Sequence, residues 1–326
     1  GLVGSEMCIR DSVLMGAGEI GLPSLRWMLD LADHELVGVY TQPDKKIGRK
    51  QVLTPPAVKV MAQEAGVSVF QPDTFRKNES AIEELRGLDC DIAIVIAYGQ
   101  ILPRAVIEAP KKACINLHAS LLPRHRGASP IQAAIRDGDS ETGITLMHIA
   151  SELDAGDMIL KESTPIAAED TGGILHDRLA NIGPALLEKA LPVLESDTIA
   201  AEAQEESLVT YSGKLKRDHG KIDWSQSADT LERLIRAYDP WPGTYATVDL
   251  GGERRKLKIY PYVEIGPDSD EPPGTVIGSG QDLVVSCGDD SLILRGDLQL
   301  EGRNRMSAGN LLRGVEIPVG TILSSG

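Results

Sequence analysis

The sequence predicts two domains: an α/β domain, doubly wound on a mostly parallel sheet, followed by a small β-barrel. Three observations carry this expectation. At 326 residues the chain holds about two domains of roughly 150 residues. Over the first two-thirds, short apolar runs alternate with amphipathic stretches, the rhythm of strand–helix–strand units. Past Leu208 the texture changes to short apolar runs separated by Gly, Pro and Asp, as in a small barrel.

The elements follow in order. Residues 1–12 lack the charged start and long apolar run of a secretory signal, and no pattern leads from them into a strand. They are read as a non-native leader. Residues 13–15 begin the first strand and 22–31 have helical spacing. Residues 35–40 (ELVGVY) read as a strand, 56–65 as a helix entered through a proline, 68–70 as a strand and 80–88 as a helix. Residues 91–97 (DIAIVIA) are almost wholly apolar, as a central strand covered on both faces requires. Strands over 114–119, 144–149 and 158–166, a helix restarting at 129–136 and a long helix over 173–194 complete a domain spanning 13–194. The polar, acidic, Ala-rich stretch 195–207 is the linker, and 208–326 is the second domain, with one helix at 228–238 and six short strands.

Composition narrows the function. Hydrophobic residues make up 42% and charged residues 25%, enough for a real core and against wholesale disorder. No apolar run approaches the ~18 residues of a membrane span. The four cysteines, Cys8, Cys90, Cys114 and Cys287, form no CxxC pair, which argues against a zinc ribbon or disulfide framework and for a reducing, cytoplasmic setting. Net charge is −15, of which the part from Leu208 onward, with 14 Lys/Arg and 17 Asp/Glu, carries only −3. Global charge disfavours non-specific polyanion binding but leaves room for a local basic face.

Two motifs compete for the chemistry. Gly16-Ala-Gly18-Glu-Ile-Gly21 fits the GxGxxG dinucleotide fingerprint, yet the second strand ends in Tyr40-Thr41-Gln42, without the carboxylate that would hold a ribose. The reading preferred here is a tight strand-to-helix turn. In 114–123 (CINLHASLLP), Asn116 and His118 stand two apart on a strand and leave the same face. They lie at its carboxyl end, where open parallel sheets bind ligands. Asp154 follows in a Gly-containing turn, LDAGD. An amide, an imidazole and a carboxylate suit acyl transfer: donors for a developing oxyanion and a carboxylate to orient the imidazole. No Ser or Cys is placed as a nucleophile, which favours direct attack by an acceptor amine. On composition alone, a histidine two after an asparagine on a strand is more often structural. His125, between two arginines, reads as a solvated loop residue, and His34, His148, His176 and His219 show no ligand spacing.

The segment CINLHASLLPRHRGASPIQ, with LDAGD after it, closely resembles the signature of the folate-dependent formyltransferase family, Asn-x-His-x-Ser-Leu-Leu-Pro followed by Arg-Gly. Further segments point to its tRNA-acting branch: Thr41-Gln-Pro-Asp44 with the basic run after it, Ala97-Tyr-Gly-Gln-Ile-Leu-Pro103, Thr210-Tyr211, Lys221-Ile-Asp-Trp224, Ile235 through Gly243, and Leu298 through Ser307. The resemblance runs from about Val13 to Leu323. It departs at Met15-Gly-Ala-Gly-Glu19, where the family usually has Met-Gly-Thr-Pro and an acidic residue. It implies a Rossmann-like formyltransferase domain and an OB-like C-terminal barrel. It implies that Asn116, His118 and Asp154 are catalytic, and that Ser120, Leu121, Leu122, Pro123 and Leu102 line the pocket of the donor, 10-formyltetrahydrofolate. The acceptor would be the amine of initiator methionyl-tRNA, with Arg49, Lys45, Lys46 and Lys50 on its acceptor-stem region, no metal, no membrane and a monomeric enzyme. Lys214, Lys216, Arg217 and Lys221 form a second basic cluster, and Arg254, Arg255, Lys256 and Lys258 a third. An amino-sugar formyltransferase or a formyltetrahydrofolate hydrolase could use the same trio; the basic loop separates them from the tRNA reading.

Overall fold

The computed structural model describes residues 11–48, 50–195, 199–288 and 290–325. The chain divides into two compact units. The first contains β1 (Asp11–Gly16), α1 (Leu22–Asp30), β2 (Glu35–Tyr40), β3 (Lys45–Ile47), β4 (Val52–Thr54), α2 (Ala57–Glu64), β5 (Val69–Phe70), α3 (Glu79–Gly87), β6 (Ile92–Ile96), α4 (Arg104–Ile107), β7 (Ala113–His118) and β8 (Arg126–Gly127). After α5 (Pro130–Arg136) come β9 (Glu141–His148), β10 (Met158–Pro165) and the long α6 (Gly172–Glu195). Seven strands form one sheet in the order β10-β9-β7-β6-β1-β2-β5. β1 is parallel to β2 and β6, β2 to β5, and β6 to β7, whereas β9 runs antiparallel to β7. The chain thus winds outward from β1 through β2 and β5, then returns to β6 on the other side, the doubly wound pattern with its switch point beside β1.

Local chemistry explains the elements. Every residue of β6 is buried, as its apolar run requires. α3 buries Ala81, Ile82 and Leu85 on one stripe, and Asn78 caps it by accepting the Ala81 N–H, worth about 1 kcal/mol. Tyr40 stacks on Phe70 with ring centroids 4.7 Å apart, closing the sheet edge onto Phe75. β1 starts at Asp11, two residues earlier than expected. Its Asp11 and Ser12 pair with Glu35 and Leu36 of β2, and the Asp11 N–H donates to Asp91 Oδ2 at 3.1 Å. Neighbouring strands on both sides extend it where sequence pattern alone is silent. Residues 1–10 of the expected leader lie outside the described residues.

The GxGxxG glycines serve packing. A Cβ on Gly16 would lie 3.0 Å from the Ile96 carbonyl oxygen, and one on Gly18 3.3 Å from the Ala97 Cβ. The turn from β1 to α1 passes so close to the end of β6 that side chains at Gly16 and Gly18 would press on Ile96 and Ala97, whereas one at Gly21 would make ordinary contact.

The second unit comprises 128–141, 165–175 and 212–326. Two segments read from sequence as part of the first domain therefore pack with the second unit; α5 lies against α7 (Ala228–Ala237). Following β11 (Tyr211–Ser212), the strands are β12 (Thr244–Leu250), β13 (Glu253–Ile259), β14 (Val263–Ile265), β15 (Val276–Ser279), β16 (Leu283–Cys287), β17 (Asp290–Leu294), β18 (Asp297–Leu300), β19 (Met306–Ser307) and, after α8 (Ala308–Gly314), β20 (Leu323–Ser324). They form antiparallel sheets in the orders β19-β18-β13-β12-β20 and β14-β17-β16-β15. Both sheets and α7 share one apolar core, including Ile235, Val248, Leu257, Val285 and Leu294, the barrel-like arrangement expected. Among the described residues, no helix is long and apolar enough to cross a membrane.

Candidate active site

The site forms where β7 ends. Asn116 and His118 alternate on this strand with the buried Ile115 and Leu117, so they share a face. Flanking strands fix both: Asn116 lies opposite Val95 and Met147, His118 opposite Thr145. His118 is 6% exposed. Its Nε2–H donates to the His125 carbonyl at 3.0 Å. A carbonyl only accepts, so this nitrogen carries its proton in either charge state of the ring. Nδ1 faces Asp154 Oδ2 at 3.7 Å, too long for a hydrogen bond and an ion pair only when the ring holds its second proton.

Asp154 sits in the turn between β9 and β10 with φ 51°, a left-handed conformation that Asp adopts more readily than most residues. Its Oδ2 accepts the Gly127 N–H at 2.8 Å. Two residues on, a Cβ at Gly156 would fall 1.8 Å from the His148 carbonyl oxygen, so only glycine closes this turn. The carboxylate is thereby held by its own turn and the Gly127 amide, with the imidazole facing it.

The turn Ser120-Leu-Leu-Pro123 is tied as tightly. Ser120 Oγ donates to the Arg124 carbonyl at 2.7 Å. Thr145 Oγ1 donates to the Ser120 carbonyl at 2.7 Å and accepts the Leu122 N–H at 3.1 Å. Lys161 Nζ donates to the Leu122 carbonyl at 2.8 Å. Leu122 is buried with Met147 and Met158, while Leu121 and Pro123 are half-buried. Leu102 packs elsewhere, against the cluster containing Tyr98 and Val106. Beside it, Gln100 Nε2 donates to the Pro72 carbonyl at 2.9 Å, and its buried Oε1 has no partner among the described residues.

His125 corrects the sequence reading: it is 2% exposed, not solvated. Its N–H donates to Thr210 Oγ1 at 2.8 Å while its carbonyl accepts from His118, and these two partners hold the residue inside the protein. Arg126 is 1% exposed, with Nε on Gln204 Oε1 at 2.9 Å and an Nη on Glu206 Oε1 at 2.8 Å. Sequence reasoning missed Thr145, Lys161 and Gln204. Their partners are 23 to 78 residues away, and only the Gly beside Asp154 hinted at a tightly packed turn. Burial lowers the His148 pKa, against the opposing pull of Asp157, and pushes the Cys114 thiol up to about 12, so that thiol is a packed strand residue rather than a nucleophile.

The basic loop is a hairpin. β3 and β4 pair antiparallel, Lys45 with Thr54 and Lys46 with Leu53. Lys45, Lys46 and Lys50 are exposed, and so are Ile47, Val52 and Leu53; Arg49 lies outside the described residues. The hairpin base is anchored: Lys59 Nζ donates to both oxygens of Asp44 and to Gln71 Oε1, and Gln71 Nε2 donates to Asp44 Oδ1 and the Gln42 carbonyl. These bonds from Gln71 and Lys59 hold the Asp44 carboxyl below the usual carboxylate range. In the second unit, Arg254, Lys256 and Lys258 share the outer face of β13, whereas Arg255 falls on the alternate face and pairs with Glu253. The third basic cluster is therefore three residues, with Lys256 Nζ 3.8 Å from the centre of the Tyr245 ring.

Comparison with known proteins gives this geometry its family. The formyl transferase family matches residues 28–191, and the formyl transferase C-terminal domain matches 214–316. The chain belongs to the formyltransferase family. The methionyl-tRNA formyltransferase of Akkermansia muciniphila is 47% identical over 304 residues, covering 93% of this chain and 96% of that one. That of Marinobacter nauticus is 46% identical over 303 residues, covering 93% and 95%. Among solved structures, the N-formyltransferase from Helicobacter canadensis in complex with folinic acid and dTDP-3-aminofucose matches with TM-score 0.63 and 19% identity, over 88% of this chain and 98% of that one. HypX from Aquifex aeolicus in complex with tetrahydrofolic acid matches at TM-score 0.57 and 16% identity, over 93% and 47%. At these identities the likeness concerns the fold.

Proposed function

We infer that the chain transfers the formyl group of 10-formyltetrahydrofolate to the amine of initiator methionyl-tRNA, supplying formyl-methionyl-tRNA for translation initiation. The observation that carries the chemistry is the buried His118 ring, pinned at Nε2 by the His125 carbonyl and facing the Asp154 carboxylate at Nδ1. The tRNA as acceptor rests on the curated relatives and on the exposed lysine hairpin.

10-Formyltetrahydrofolate supplies the formyl group, and the chain's residues fit such a donor. The folate side is assigned to Ser120, Leu121, Leu122, Pro123 and Leu102. The unpartnered Oε1 of Gln100 offers an acceptor to a ligand N–H. Asn116 donates its amide N–H to the formyl oxygen as negative charge develops there. Protonated His118 adds a positive charge at the same place, and Asp154 keeps that charge oriented and takes part in moving the proton from the attacking amine toward the leaving nitrogen. Lys45, Lys46, Lys50 and Arg49 hold phosphates of the acceptor stem, and Arg254, Lys256 and Lys258 offer a second basic face. The enzyme is assigned to the cytoplasm, where initiator tRNA is charged, and acts as a monomer.

The test is a formyl-transfer assay with 10-formyltetrahydrofolate, run with initiator methionyl-tRNA and without an acceptor. Formylated tRNA appearing only when tRNA is supplied is the expected result. Folate release without formylated tRNA points to hydrolysis or an amino-sugar acceptor and overturns the tRNA assignment. Asn116→Ala is expected to lose about 10²-fold in kcat, the loss typical of one oxyanion donor.

A further inference from the structure

Gln204 lies in the stretch read from sequence as linker, 50 residues past Asp154. Its side chain is nearly buried, at 9% exposure. Its amide is fully used: Oε1 accepts from Arg126 Nε at 2.9 Å, and Nε2 donates to the carbonyls of Asp154 and Gly156, each at 2.8 Å. These partners fix the amide orientation, because the reverse would set an NH₂ against a guanidinium and an oxygen against two carbonyls. Its segment is itself tied down: Glu202 and Met158 exchange both backbone hydrogen bonds at 2.8 Å. Arg126 is adjacent to Gly127, whose N–H holds Asp154 Oδ2.

We propose that Gln204 is a positioning residue for formyl transfer, closing a ring of three hydrogen bonds and the Arg126–Gly127 peptide link, Gln204–Asp154–Gly127–Arg126–Gln204, that aims the Asp154 carboxylate at His118 Nδ1. Asp154 has a left-handed backbone and no helix or strand around it. Its main chain is held through its carbonyl by Gln204, and its side chain by the Gly127 amide. Without the first tie, the 3.7 Å separation from the imidazole loses one of its two fixed ends. The role deepens the formyl-transfer reading and rests on it.

The test uses the full chain with Gln204→Glu and Gln204→Leu. Gln204→Glu keeps the volume and the acceptor for Arg126 but removes both N–H donors to the loop. Both variants are expected to lose about tenfold or more in kcat, the scale of a sub-ångström to 1 Å misplacement at a reacting centre, with KM for tRNA and for 10-formyltetrahydrofolate within about twofold. In ¹⁵N-histidine-labelled protein, the His118 Nδ1 signal of Gln204→Glu should move toward that of Asp154→Asn across a pH titration. An unchanged kcat with an unchanged His118 signal overturns the proposal, as does a rise in KM with kcat intact. If Gln204→Leu does not fold, Gln204→Glu carries the test. If the wild-type chain transfers no formyl group, the functional reading fails by itself, and the His118 signal still decides whether Gln204 aims Asp154.

Discussion

The His118–Asp154 site and the Lys45–Thr54 hairpin lie in one folded unit but are held by opposite means. The site is buried and over-determined: Asp154 has ties through its carboxylate, its carbonyl and a neighbouring glycine that admits no side chain. The hairpin is fastened at its base by the Asp44–Lys59–Gln71 network, and its tip carries exposed lysines and exposed Ile47, Val52 and Leu53. The difference teaches which property each task needs. Charge stabilisation at a developing oxyanion requires groups that do not reorganise. Grip on a long polyanion needs charge within reach, and mobile side chains supply it at low cost because phosphate contacts are tolerant of geometry.

The comparison can be broken first at its rigid end. Asp154→Ala and His118→Ala should each cost about 10³-fold in kcat, within the range of a lost acid–base group, while tRNA binding measured by filter retention stays within about twofold. Equal losses in binding and turnover would mean that the two regions are not separable. Thr145→Val removes the hydroxyl that both donates to Ser120 and accepts from Leu122. Leaving those two backbone groups unsatisfied should destabilise the protein by about 1–3 kcal/mol, read as a lower urea midpoint, with turnover falling in step as the folate-side turn loosens.

At the hairpin the effects should be smaller and of another kind. Lys45→Ala and Lys46→Ala should weaken tRNA binding and reduce the slope of log K against log salt by about 0.7–0.9 per lost phosphate contact, leaving kcat at saturating tRNA unchanged. Acid should sharpen the contrast further. Asp44 has its carboxyl pKa lowered in the folded chain, so its contribution is complete above its ordinary value near about 4 and is lost as pH falls through the depressed folded value. Hydrogen exchange at the β3–β4 amides should therefore accelerate below about pH 4 before that of β6, and Asp44→Asn should remove the pH step.

Much of the architecture was legible in sequence. The apolar 92–96 strand, the alternating Asn116 and His118, and the change of texture near Leu208 rest on local patterns of period two and 3.6, which survive folding unchanged. At the GxGxxG run the structure adds a packing reason for glycine, the turn's approach to Ile96 and Ala97. One reading failed: His125 between two arginines looks solvated because composition reports average exposure, and its partner Thr210, distant in sequence, overrides that. The partners of Gln204, namely Arg126, Asp154 and Gly156, are equally distant and equally invisible to composition.

By itself the sequence singled out the candidate amide, imidazole and carboxylate and determined which face of β7 presents the first two, since residue types and their spacing are local properties. Tertiary structure alone decided how that chemistry is aimed. The proton on His118 Nε2 is placed by a carbonyl seven residues away in a loop of left-handed backbone. Asp154 is oriented by Gly127 and by an amide 50 residues downstream. Hydrogen-bond direction depends on where the folded chain brings a donor and an acceptor together, and no periodicity in the sequence encodes that meeting.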